Sequence, residues 1–357
     1  MRVKSIDWLS KKLHNNGLQA VLLGLVTVAA LVIGALRNRI FDPAMFDAST
    51  YIGQIARGEV EPMDFNYAMT GGAFRLMGLG NLEWLAGVIT VVLVVGLVFW
   101  IFRNNFRLRV SSLLMALITI GLSGIWFFGF SKELFEIILV CAVGLFAMES
   151  KRFGWLIMGA GIIGYGLLFR PYWVVIGIGY FGLLLVMKLF KGQKVWILLP
   201  VILAMIAGMV VGYAVMHDGT DISHLRNVIN DSRVGFTKIE NILPSNNVWT
   251  GMVNSVAGLI WIFVPWQLFV GGKLLYIGGG ILVMGVMWWF AWWLLHSKRI
   301  RWDITVSMAV ALILSFLAVS ALYEPDFGSF LRHLTPIMLF MIYCYNTRLP
   351  KAKEKIS

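Results

Sequence analysis

The chain has 357 residues, 59% of them hydrophobic and 13% charged, with a formal net charge of +12. A composition this apolar excludes a soluble globular domain and describes a polytopic membrane protein. The basic residues sit in short loops between apolar runs, which argues against nucleic acid as a partner and points to membrane topology and anionic lipids.

The opening "MRVKSIDWLSKKLHNN" precedes an apolar run too long for the core of a signal peptide, and no small-x-small site ends it. An uncleaved first span is therefore expected. Apolar runs follow in chain order at roughly 18–36, 84–102, 110–130, 134–148, 154–169, 171–189, 195–216, 274–295, 304–322 and 329–346, against a usual need of about 20 residues. They predict an all-α bundle of about ten transmembrane helices in one integral membrane domain covering 1–357. An eleventh stretch, 251–272, carries Pro265 followed by Trp266 and reads as a re-entrant or interfacial helix. Cys141 and Cys344 both fall inside apolar runs, so neither a disulfide nor a zinc site is expected.

Charge sets the orientation. With the N-terminus in the cytoplasm, 19 of the 30 Lys and Arg residues fall in inner loops and tails, and 14 of the 18 acids fall outside. This is a positive-inside pattern with both termini cytoplasmic, and it holds only if 251–272 does not cross. Trp288, Trp289, Trp292 and Trp293, just before Lys298, fit an inner-interface aromatic belt. The two larger extracytoplasmic loops are 37–83 and 217–250; within the second, 221–243 is expected to form an amphipathic surface helix with Leu225, Val228 and Ile229 on one face.

The ionisable residues that this topology brings to the outer membrane edge are the candidates for function, because charge is costly at that depth. The first loop supplies Arg39 and Asp47. "FSKELFE" supplies Lys132, Glu133 and Glu136, with Lys132 and Glu136 four apart and expected to pair. "LFRPYW" supplies Arg170 and Tyr172 at a helix end set by Pro171. "YEPDFGSFLRHLTPIM" supplies Glu324, Asp326, Arg332 and His333. Arginine forks suit phosphate oxygens, and a carboxylate or histidine beside them suits a general base. "GAGIIG" at 159–164 lies within a span and not after a strand, so it is no dinucleotide fingerprint; Ala160 and Gly164 are expected to serve close helix packing. "DFG" at 326–328 lacks the rest of a kinase signature.

"FDASTYIGQIARG" resembles the Asp-x-x-x-Tyr element of GT-C membrane glycosyltransferases, which use polyprenyl-phosphate-linked sugars. "SKELFEIIL", "LFRPYWVVI", "WIFVPWQLF" and "SFLRHLTPIM" resemble short signatures of bacterial oligosaccharide repeat-unit (Wzy-type) polymerases. The resemblance implies a GT-C-like fold in the bacterial inner (cytoplasmic) membrane. It implies transfer of a glycan from an undecaprenyl-diphosphate-linked donor to a lipid-linked acceptor sugar at the outer leaflet, with a chain-length regulator as a further partner. It assigns Asp47, Glu133 or His333 to the catalytic base, and Arg39, Lys132, Arg170, Tyr172 and Arg332 to the substrate pyrophosphate. No cofactor is expected. A divalent metal enters only under the alternative, a GT-C enzyme with a polyprenyl-monophosphate-sugar donor; no second acid follows Asp47 directly, and the large soluble outer domain of such enzymes is missing. A lipid-linked glycan flippase and a glycan acyltransferase using His333 with Glu324 or Asp326 are the remaining alternatives.

Overall fold

Apolar segments in lipid must satisfy every backbone polar group internally, which leaves the helix as the form an isolated run can take. The computed structural model describes residues 16–103, 110–150, 152–189, 237–244, 248–271, 273–296 and 303–346. Among them the chain is all-helical, with one isolated bridge between Lys238 and Asp326 and no strand. The helices are α1 (Asn16–Ile40), α2 (Asp47–Arg57), α3 (Phe65–Leu76), α4 (Glu83–Phe102), α5 (Val110–Trp126), α6 (Glu133–Glu136) and α7 (Val143–Ala147). After these come α8 (Gly154–Leu168), α9 (Tyr172–Leu189), α10 (Val248–Phe263), α11 (Trp266–Val270), α12 (Leu274–His296), α13 (Ile304–Tyr323) and α14 (Phe327–Asn346).

Six of these, α1, α4, α9, α12, α13 and α14, are long and apolar enough to cross a membrane. The chain is an integral membrane protein. The other expected runs take shorter forms. α5 stops at Trp126 because the chain turns through Gly129, whose φ of 137° favours glycine. α8 stops before Arg170, where Pro171 disfavours helical backbone in its neighbour. The run at 134–148 is α6 and α7 joined by a π-helical turn, Ile137–Ala142. The expected run at 195–216 lies outside the described residues. So does most of the amphipathic helix expected at 221–243; its described end, 237–243, is not helical. Instead Ile239 N–H donates to the Pro325 carbonyl at 2.8 Å, and Phe327 N–H to the Thr237 carbonyl at 2.9 Å.

Contacts between helix ends give the direction of each helix. Arg37 near the end of α1 meets Glu83 at the start of α4, and Arg170 at the α8–α9 junction meets Glu133 at the start of α6. At the opposite end, Arg103 after α4 meets Glu149 after α7, and Asn346 of α14 donates to the Ile101 carbonyl at 3.1 Å. α1 and α4 therefore run in opposite directions, while α4 and α9 both start at the first end, with α5, α6–α7 and α8 between them. Trp289 and Trp293 of α12 pack on Tyr345 at this second end, while Trp288 and Trp292 face outward. Both flanks of α10 lie at the first end: Ile239 before it and Leu268 of α11 pack with Phe327, and the helix breaks at Pro265 between Phe263 and Trp266.

α13 is apolar on all sides, and 94% of its most apolar window is buried, so it runs through the middle of the bundle with α9, α10 and α14 around it. α1 shows the opposite: a buried seam against α5 and an outer face of exposed leucines and valines. The packing expected of Ala160 and Gly164 is carried by their neighbours. Ala160 is exposed and a Cβ on Gly164 meets nothing, whereas a Cβ on Gly161 lies 2.3 Å from the Leu139 carbonyl of the π turn. The close approach of the two backbones is therefore at Gly161, one turn before Gly164. Gly161→Ala is accordingly expected to destabilise the protein by about 1–3 kcal/mol, and Gly164→Ala by no more than about 0.5 kcal/mol, read as thermal melting in detergent; equal melting points for the two contradict this packing.

Candidate anion site

Glu133 is the first residue of α6, and the loop before it shapes its surroundings. Its backbone N–H donates to Ser131 Oγ at 3.2 Å, and the Ser131 hydroxyl donates to its Oε2. Its other oxygen, Oε1, is the focus of the site. Arg170 Nη2 donates to it at 2.6 Å, Arg332 Nε lies 3.2 Å away and His333 Nε2 3.4 Å away. Glu133 and His333 are nearly inaccessible, with side chains 3% and 2% exposed. Charges this deep persist only when paired, and here two arginines share one carboxylate.

Local sequence explains how each group arrives. Pro171 ends α8 and presents Arg170, whose Nε donates to Tyr165 Oη at 3.2 Å. Pro325 ends α13 with Glu324 extended, and Asp326 then caps α14, accepting from Ser329 N–H at 2.7 Å. The three-residue break brings Glu324 against α14, where its Oε1 lies 2.6 Å from His333 Nδ1. Tyr172 Oη lies 3.2 Å from the same ring nitrogen, and its ring stacks on Tyr323. His333 is thus held from both sides, with its other nitrogen towards Glu133.

A cleft of about 70 Å³, room for a few water molecules, opens beside Glu133. Its charged lining is Arg37, Lys132, Arg170, Arg332 and one carboxylate, Glu133. Arg37 is paired with Glu83 outside the cleft, and Lys132, Arg170 and Arg332 against Glu133 still leave an excess of positive charge in a partly desolvated pocket, which is an anion-binding arrangement. Lys132 does not pair with Glu136 as its spacing predicts. Its Nζ sits 3.6 Å over the Tyr67 ring, and both Glu136 oxygens are buried without a hydrogen-bond partner among the described residues. The i, i+4 rule assumes exposed side chains on a regular helix, whereas Lys132 precedes α6 and turns to the α2–α3 hairpin. Burial, followed by the neighbouring Arg170 charge, brings the Lys132 ammonium down to about 8.

Six of the eight predicted site residues, Lys132, Glu133, Arg170, Tyr172, Arg332 and His333, come together. Tyr172 and His333 stand behind Glu133 and do not line the cleft. Asp47 and Arg39 are not in the cluster. Asp47 is exposed in the first turn of α2 while its neighbours Phe46 and Ala48 line the cleft, and Arg39 is exposed on the last turn of α1. Arg37 takes the inward position, because two residues along a helix turn the side chain through about 200°. It bonds Ser49 Oγ and Glu83 Oε1, each at 3.0 Å. Gly129 closes on this group: any Cβ there lies 2.5 Å from Arg37 Nη2. Arg37 and Tyr67 were missed in the sequence, and helix phase was the only available signal for Arg37. Among the described residues no three His, Cys, Asp or Glu side chains gather to hold a metal.

No known protein family, curated protein or solved structure matches the chain.

Removing one partner from a buried ion pair strands the other. Arg170→Ala is expected to cost about 3–5 kcal/mol of stability, measured as loss of thermal stability in detergent. A melting point within error of wild type contradicts the shared ion cluster.

Proposed function

We propose that this protein is a membrane glycosyltransferase that moves a glycan from a polyprenyl-diphosphate-linked donor to a lipid-linked acceptor sugar at the extracytoplasmic leaflet of a bacterial cytoplasmic membrane. The observation that carries the reading is the cleft at one end of the bundle, where Lys132, Arg170 and Arg332 face one carboxylate. The positive-inside rule supports taking that end as extracytoplasmic, with Arg103, Arg152 and Lys188 towards the other. The same reading takes about ten spans, both termini cytoplasmic, and treats α10–α11 as re-entrant, since both flanks of α10 lie at one end. A diphosphate at the headgroup level, with its prenyl tail in the bilayer, reaches such a cleft without dehydrating its lipid.

The chemistry follows from the lining. The acceptor hydroxyl oxygen forms a bond to the donor's anomeric carbon, and the bond from that carbon to the diphosphate oxygen breaks. The electron pair leaves on the diphosphate, where Lys132, Arg170 and Arg332 meet the developing charge. The hydroxyl proton passes to Glu133, the carboxylate that lines the cleft. Asp47 has no place in this scheme and neither does a metal. His333 acts by positioning, since Glu324, Tyr172 and Glu133 surround its ring.

The test is transfer by purified protein in lipid nanodiscs. A diphosphate-linked oligosaccharide gives ladders of repeat units, while single additions from a monophosphate-linked sugar identify the other donor class and contradict the proposal. Arg332→Ala is expected to slow transfer about 10²- to 10³-fold. Lys132 holds phosphate only as the ammonium, so kcat/KM, which reports the free enzyme, falls as pH rises through about 8. Lys132→Arg moves that fall above the assayed range; a flat wild-type profile from pH 7 to 9.5 excludes Lys132 from the step.

A further inference from the structure

We infer that Glu133 is an internal occupant of the anion site, displaced when a phosphorylated substrate enters and only then free to take the proton. This rests on the proposed function and adds how its site is kept occupied and how it is switched on.

Three observations converge on it. First, Glu133 Oε1 alone engages Arg170, Arg332 and His333. One carboxylate oxygen facing two guanidinium groups is the contact pattern of a phosphate oxygen, here satisfied from within the chain. Second, the free space beside Glu133 is about 70 Å³, room for a few waters, and Glu133 itself takes part of the ground that an entering phosphate would need. Glu133 lines the cleft together with both arginines and takes up the guanidinium donors that face it. Third, among the described residues no carboxylate lies within ion-pair distance of Lys132, and Asp64 and Glu133 attract it only from further off. It rests on the Tyr67 ring while lining the cleft, and stands ready as the first contact for an entering anion.

The mobility that displacement requires is local. Glu133 is the first residue of α6, so its side chain turns without carrying a helix with it, and the π turn Ile137–Ala142 follows directly. Such turns lie where a helix departs from regular bonding, and they collect at functional sites. Its other oxygen keeps Ser131 as a partner during the move.

The exchange balances in charge and protons. An entering diphosphate takes the two guanidinium groups, and the carboxylate gives them up. The acceptor O–H bond then breaks towards the freed Oε1 as the new glycosidic bond forms and the electron pair leaves on the diphosphate. After transfer Glu133 returns its proton to water, pairs again with Arg170 and Arg332, and competes the diphosphate product out. A base paired with two arginines is a poor one, so water entering an empty site finds no activated proton acceptor.

Direct binding tests this without needing turnover. Purified full-length protein in detergent is titrated calorimetrically with inorganic pyrophosphate and, separately, with farnesyl diphosphate. Glu133→Gln removes the competing charge and is expected to tighten binding about tenfold, the worth of one charge-assisted hydrogen bond. Glu133→Asp keeps the charge but shortens its reach, and is expected to bind more tightly than wild type by a smaller factor, which keeps the test open should the glutamine variant fail to fold. Unchanged or weaker binding in whichever of these folds overturns the displacement. Arg332→Ala must weaken binding; if it leaves wild-type affinity unchanged, the anion site and the proposed function both fall. Absence of binding by every variant has the same meaning. Tightening for pyrophosphate alone assigns the site to a free anion and sinks the lipid-linked donor, while tightening for both supports it.

Discussion

A carboxylate and its arginines in the upper part of a helix bundle are costly to dehydrate, and this cost organises the rest of the molecule. Glu133 is nearly inaccessible, so Arg170 and Arg332 must reach it within hydrogen-bond distance or the bundle pays for unpaired charge. Three chain breaks make that geometry available: the turn through Gly129 ahead of α6, the Arg170–Pro171 junction, and Glu324–Pro325 between α13 and α14. Each lies at the same end of the bundle and frees a side chain that a continuous helix would have pointed into lipid. The ions are thus gathered by helix ends and not by a separate extramembrane domain.

The packing below that layer fixes it in place. α13, buried all round, carries Glu324 at its end, and α14 beside it carries Arg332 and His333. Any shift between these two helices separates His333 from Glu324. The α2–α3 hairpin closes the cleft from outside through Tyr67 and the Ser49 contact to Arg37. Gly129 permits that approach, since a side chain there meets the Arg37 guanidinium.

Much of this was legible in the sequence, for a physical reason. Lys132, Glu133, Arg170, Arg332 and His333 stood out because ions beside long apolar runs are rare and expensive. The same logic failed for Asp47 and Arg39, since charge in a wet loop costs nothing and carries no information about where it points. Arg37 could not be separated from Arg39 without helix phase, and the Tyr67 partner of Lys132 depends on how a hairpin folds over the site. Glu136 shows the limit of spacing rules. The i, i+4 reading pairs it with Lys132, whereas its carboxyl is buried ahead of a π turn with no hydrogen-bond partner among the described residues. The run at 134–148 read as one regular span because hydropathy does not register a single wide turn.

The function proposed here needs the cluster to receive phosphate, and the most direct test is to ask where a lipid-linked diphosphate lands. A short-chain prenyl diphosphate carrying a diazirine next to its diphosphate can be photolysed with the protein in nanodiscs, and the adducts mapped by mass spectrometry. The account predicts adducts on the segments around Lys132, Arg170 and Arg332, suppressed by excess pyrophosphate. Adducts spread along the lipid-facing side of α1 and insensitive to pyrophosphate would contradict it.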